Sequence, residues 1–185
     1  MNLIDVLKTI EDHRDPHGRE YKLWEILLVS ILAILSNSKT YTDIERFMLV
    51  HFDALKIIFG LKWRRVPHFS SIRDIIVGID PERLESAFRL YSTRADAAID
   101  TNDRHICFDG KALNGSFSHT KDKRALMIFN VFAKHSLLTL AHVPVEEKTN
   151  EIGAFQAFLI SLNLKDVVVT ADAMHCQKKL LHVQK

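Results

Sequence analysis

Residues 104–109 read Arg-His-Ile-Cys-Phe-Asp, and here the hydrophobic spacing of the chain changes from helical to alternating. His105, Cys107 and Asp109 fall on one face of the strand that this spacing predicts. Just ahead, Asp100-Thr101-Asn102-Asp103 is a polar break that suits a domain boundary. Downstream, ALMIFNVFA at 125–133 and LLTLAHV at 137–143 are predicted as two more strands, joined at Lys134-His135-Ser136. A helix is expected from Asn150 to Leu162, with Ile152, Phe155, Phe158 and Leu159 inward. VVVTA at 167–171 is a β-branched run that suits a buried parallel strand, and the chain is helical again from His175.

The order β-β-β-α-β-α is the opening of a ribonuclease H-like sheet. Upstream the pattern is helical. Leu3, Val6, Leu7 and Ile10 share a face before Pro16 and Gly18 interrupt. Residues 22–36 are apolar nearly all round and predict a central helix. Thr42-Asp43-Ile44-Glu45 has capping-box spacing for a helix reaching His51, and residues 53–59 predict another that Gly60 stops. Ser70-Ser71-Ile72-Arg73 and Asp80-Pro81 read as two further starts, the last leading a helix to Ala97 with Leu84, Phe88 and Tyr91 inward. The expected fold class is therefore α+β: a helical domain over residues 1–99, then a partial ribonuclease H-like α/β domain over residues 100–185.

Composition sets outer limits. The 185 residues are 47% hydrophobic and 26% charged, an ordinary globular balance. The two cysteines, Cys107 and Cys176, do not make a disulfide framework, and no signal peptide is recognisable, so a reduced, cytoplasmic protein is expected. The apolar run Leu23–Leu35 is too short to span a bilayer, so no membrane partner is expected. A net charge of +2 says little about nucleic acid, but local charge says more. Lys62, Arg64, Arg65 and Arg73 form one basic group, and Lys111, Lys121, Lys123 and Arg124 another. Either group could neutralise phosphates, or be a solvated face.

Asp109 and Asp172 end the first and fourth predicted strands. On neighbouring strands they would project at one sheet edge, where paired carboxylates suit Mg²⁺ or Mn²⁺ and phosphodiester chemistry. Each aspartate could equally cap its turn. His105, Cys107, His175 and Cys176 would be the residues of a zinc site, but no CxxC or HxxxH spacing is present. The helices from Thr42 and Ser71 are too far apart in sequence for the short turn of a helix-turn-helix. Beside Arg64 and Arg65, His68 and Phe69 could contact DNA, with an inward Phe69 as the simpler expectation.

Three motifs weigh in favour of the metal reading. ICFDGKALNGS at 106–116, KTNEI at 148–152 and TADAMHCQ at 170–177 resemble, in order and spacing, the insertion-sequence transposases of the H-repeat-associated family, a branch of the acidic-triad (DDE) superfamily. DPHGREYKLWEILLVSILAIL, TYTDIERF and VPHFSSIRDII resemble the helical domain ahead of that family's catalytic domain. The resemblance implies double-stranded DNA as substrate, a second transposase protomer as possible partner, and Asp109 and Asp172 as the first two catalytic carboxylates. It places Lys111 near a phosphate, and Asn114 stands where the family commonly has arginine.

The family's third carboxylate is a glutamate on a later helix, and residues 173–185 contain no acid. The chain is accordingly expected to be truncated and inactive by itself in cleavage and strand transfer. Glu151 is a conceivable substitute ligand, though near a helix start it would also favour the helix dipole. The alternative expectations are a regulator that binds DNA or dimerises with full-length transposase, or a non-functional remnant.

Overall fold

The computed structural model describes residues 2–99, 105–112, 127–145 and 167–171. Among them are six α-helices and a four-stranded mixed sheet, an α+β architecture. No helix among these residues is long and apolar enough to cross a membrane. The chain divides into two compact units, residues 1–87 and 88–185.

The first unit holds α1 (Leu3–Leu7), α2 (Leu23–Leu35), α3 (Tyr41–Val50), α4 (Phe52–Phe59), α5 (Phe69–Val77) and the start of α6 (Pro81–Ala97). As its apolar surface predicts, α2 is central: Leu23, Ile26, Leu27, Leu28, Val29 and Ala33 are all buried. α1 is shorter than expected, because the chain turns at Lys8, although Ile10 is still buried. The segment between α1 and α2 is tied internally. Arg14 forks onto Asp12 at 2.8 and 2.7 Å and also donates to the Tyr21 carbonyl at 2.7 Å. Gly60, at φ 64°, ends α4 in the left-handed conformation that glycine adopts without strain.

Two helix starts differ from expectation. The capping box of α3 is Thr40 with Asp43, two residues earlier: Asp43 N–H donates to Thr40 Oγ1 at 3.1 Å and Thr40 N–H to Asp43 at 3.1 Å. Glu45, the acid of the expected box, instead accepts from Phe69 N–H at 3.2 Å and so tethers the start of α5. α5 begins at Phe69 after His68, not at Ser71, and α4 lies between α3 and α5. Asp80 caps α6 as expected, accepting from Glu82 N–H at 2.9 Å.

The second unit is built on β1 (His105–Ala112), β2 (Met127–Ala133), β3 (Leu138–Val145) and β4 (Val168–Ala171), in the order β3-β2-β1-β4. β1, β2 and β3 are antiparallel neighbours, and β4 runs parallel to β1. Ile106, Phe108, Val131, Ala133, Leu140 and Ala141 form the core on one face. β4 is parallel as expected but is not buried, since it is the last strand of the described sheet and Val168 is 59% exposed. The expected helices at 150–162 and from His175 lie outside the described residues.

The later part of α6 packs on β3, at the edge of the described sheet. Register between β2 and β3 shifts after Val131, so Leu140 is an extra residue in β3. Ser92 Oγ lies 2.9 Å from the Leu140 carbonyl, and Arg89 donates to the His142 carbonyl at 3.0 Å. Phe88 meets the His142 ring at 4.8 Å. His135 Nε2 approaches Asp96 Oδ1 at 2.9 Å, close in distance but misaligned for a hydrogen bond. Within the helix Leu84 and Tyr91, expected inward, are exposed, while Ala87 and Ser92 are buried.

Candidate functional site

The alternation of β1 places Ile106 and Phe108 in the core and turns His105, Cys107 and Asp109 to the opposite face. Asp109 is exposed, and its carboxylate makes no hydrogen bond or ion pair with any described residue. It therefore keeps its lone pairs available, as a ligand for a hard cation must. Beside it the strand pairing sets two neighbours that the sequence did not identify. Asn130 is the register partner of Asp109 on β2, and His142 is the partner of Asn130 on β3. Directly opposed residues lie on one face within about 5.5 Å of each other, so Asp109, Asn130 and His142 form a polar row across three strands.

On the other side of β1, Thr170 of β4 is the register partner of Cys107. Its hydroxyl lies 3.1 Å from His105 Nε2 and 3.3 Å from Cys107 Sγ. These contacts hold the two parallel strands in register at the surface. One step further, Phe108 is the partner of Ala171. The next residue after Phe108 is Asp109, and the next after Ala171 is Asp172.

Asp172 itself lies outside the described residues, as do Glu151, Lys121, Lys123, Arg124 and Asn114. Lys111 is on β1 opposite Ile128, and its side chain is likewise not described. Among the described residues no three His, Cys, Asp or Glu side chains gather in a group that could hold a metal.

The basic group of the helical unit is uneven. Arg73 is paired with its neighbour Asp74 at 2.8 Å, and Arg65 with Glu20 at 3.3 Å. Glu20 and the Tyr21 hydroxyl hold the Arg65 guanidinium above its ordinary pKa, while burial raises that of the Tyr21 phenol. Lys62 and Arg64 are exposed and meet no acid among the described residues. Phe69, expected inward, is 37% exposed and stands against His68 with ring centres 4.3 Å apart.

Residues 4–92 match the family model described as DDE_Tnp_1-associated. Across 96% of the chain, 30% of residues are identical to the Escherichia coli K12 protein named H repeat-associated putative transposase YhhI, of which 46% is covered. The K12 protein named H repeat-associated putative transposase YbfD is 29% identical over 96% of the chain and 69% of its own length. A protein of Escherichia coli O157:H7 named putative transposase YncI is 30% identical over 97% of the chain and 45% of its own length. The chain thus spans about half the length of YhhI and YncI. No solved structure matches it. The family-model match over residues 4–92, and the relatives' alignment along nearly all of the chain, support the chain as a member of the transposase family, similar to these H-repeat-associated proteins.

Proposed function

We propose that the chain serves DNA transposition of an insertion sequence, with Asp109 and Asp172 as two carboxylate ligands of its divalent metal and double-stranded DNA as its substrate. The observation that carries this reading is the pairing of Phe108 with Ala171 on parallel strands. Parallel strands advance together and alternate faces together. Asp109 follows Phe108 and Asp172 follows Ala171 in sequence, so strands continuing in this register would bring the two aspartates to one end and one face. The order β3-β2-β1-β4 supports reading the unit as the opening of a ribonuclease H-like sheet, in which a parallel strand joins the first strand of an antiparallel meander.

The residues present suit Mg²⁺ or Mn²⁺. Asp109 offers a carboxylate that no described partner occupies, and its neighbour Asn130 offers an amide for a water or a phosphate oxygen. Such ions, when bound, activate an attacking oxygen and stabilise a leaving one at a phosphodiester. Lys111, two residues beyond Asp109, contributes a point charge for phosphate. A second protomer of the family is the proposed protein partner.

The test is Mn²⁺ binding by the full chain, followed through the paramagnetic resonance signal of the free ion. The wild-type chain is expected to bind, and Asp109→Asn and Asp172→Asn each to weaken binding by about tenfold or more. Equal binding by the wild type and the double variant would overturn the assignment.

A further inference from the structure

The segment that follows α4 alternates between core and solvent. Leu61 and Trp63 are buried, while Lys62, Arg64 and Arg65 are exposed. The inward side chains fix where the outward ones stand. Trp63 Nε1 donates to Glu25 Oε2 at 2.7 Å, and its ring meets Tyr21 edge-on at 5.3 Å. Cations on a backbone anchored in this way lose less freedom on meeting an anion than cations on a free loop.

The outward cations are not equivalent. Lys62 and Arg64 have no acid partner among the described residues. Arg65 is held by Glu20 at 3.3 Å. A guanidinium fork receives a carboxylate or a phosphate through the same donors, so Glu20 and a phosphate compete for Arg65.

We infer that Lys62, Arg64 and Arg65 form a preorganised platform for the phosphate backbone of double-stranded DNA, in which Glu20 occupies Arg65 until a phosphate displaces it. The choice of DNA as the polymer rests on the transposition reading above. Arg73 is not part of the platform, since Asp74 neutralises it locally. Glu20 acts as an internal competitor that weakens binding at every sequence alike, because backbone contacts carry no sequence information.

The experiment is an anisotropy titration of a fluorescein-labelled duplex of arbitrary sequence with the full chain, without divalent metal, over a series of salt concentrations. Salt-dependent binding is expected. Lys62→Ala with Arg64→Ala should flatten the slope of log affinity against log salt by about 1.8, two phosphate contacts' worth. Glu20→Gln should tighten binding by about two- to fivefold, the scale of an exposed ion pair. Lys39→Ala with Arg46→Ala, which removes two exposed charges elsewhere in the same unit, should change neither quantity. Thermal unfolding of each variant, matched to the wild type, separates lost contact from lost fold. The inference is overturned by a wild-type chain that does not bind, by an unchanged slope in the Lys62, Arg64 variant, or by Glu20→Gln binding no tighter than wild type. With no metal and no chemistry in the assay, its failure is distinct from failure of Mn²⁺ binding at Asp109 and Asp172.

Discussion

The indole Nε1 of Trp63 donates to the buried carboxylate of Glu25 at 2.7 Å, joining the basic segment 62–65 to the first turn of α2. Glu25 also accepts from Lys22 N–H at 3.3 Å, so one carboxylate serves the helix start and a residue 38 positions later. A buried carboxylate is tolerated only when it is well supplied with donors.

Trp63→Phe keeps most of the apolar ring and removes the donor. The expected loss is about 1–3 kcal/mol, the cost of leaving a buried acceptor short of a partner. Glu25→Ala with Trp63→Phe should lose less than the sum of the two single changes, since both remove the same contact. Calorimetric unfolding of the four proteins checks this, and additive losses would show that the contact contributes nothing of its own.

Acid should loosen the helical unit in a definite direction. Asp12 is held below its ordinary pKa first by the hydrogen bond from Arg14, and Asp43 by that from Thr40. A carboxyl whose folded pKa is depressed contributes stability above its unfolded value, about 3.9, and loses it as pH falls through the lower folded value. Unfolding midpoints should therefore be flat near neutrality and fall below about pH 4. Asp12→Asn should be less stable than wild type at neutral pH and converge on it in acid. A constant difference at all pH values would refute the linkage.

His13 and Gly78 give a steric prediction. A Cβ at Gly78 would overlap the imidazole of His13. Gly78→Ala, ordinarily tolerated at a right-handed helix end, should here cost about 0.5 kcal/mol, because the overlapping atoms are the tip of an exposed side chain that can swing aside. His13→Ala in the same chain should recover much of the loss. Failure of that rescue in thermal unfolding would place the strain elsewhere.

How far the sequence led can be seen at individual residues. The α+β class and the order of the described helices and strands followed from hydrophobic period, because alternation and helical spacing are local properties. The common face of His105, Cys107 and Asp109 followed in the same way. Local spacing pointed to Thr42 with Glu45, whereas the box that forms is Thr40 with Asp43. Tertiary structure chose, by committing Glu45 to the Phe69 amide. Asn130 was invisible as a neighbour of Asp109 because strand register depends on turns and bulges that no periodicity encodes. The Glu25–Trp63 contact was hidden for a similar reason. Glu25 read as a polar exception in an apolar helix, and nothing in its own segment names a partner 38 residues away.

The extra residue in β3 leads to the last prediction. Its carbonyl, that of Leu140, lies on the described sheet's edge strand, and buried Ser92 approaches it at 2.9 Å. The same hydroxyl is 3.0 Å from the Phe88 carbonyl of its own helix, so the serine joins helix and bulge. A carbonyl deprived of its donor in a buried setting costs about 1–3 kcal/mol. Ser92→Ala should therefore destabilise the sheet unit by that order. Ser86→Ala provides the comparison: Ser86 is exposed and, among the described residues, donates to Glu82 within α6 at 2.8 Å, so its loss should be near zero. Amide exchange should resolve the two, with Ser92→Ala accelerating exchange in β2 and β3 while Ser86→Ala leaves it unchanged. Equal protection in both variants would show that the bulge is held by the sheet alone, and that α6 contributes no hydrogen bond of consequence to it.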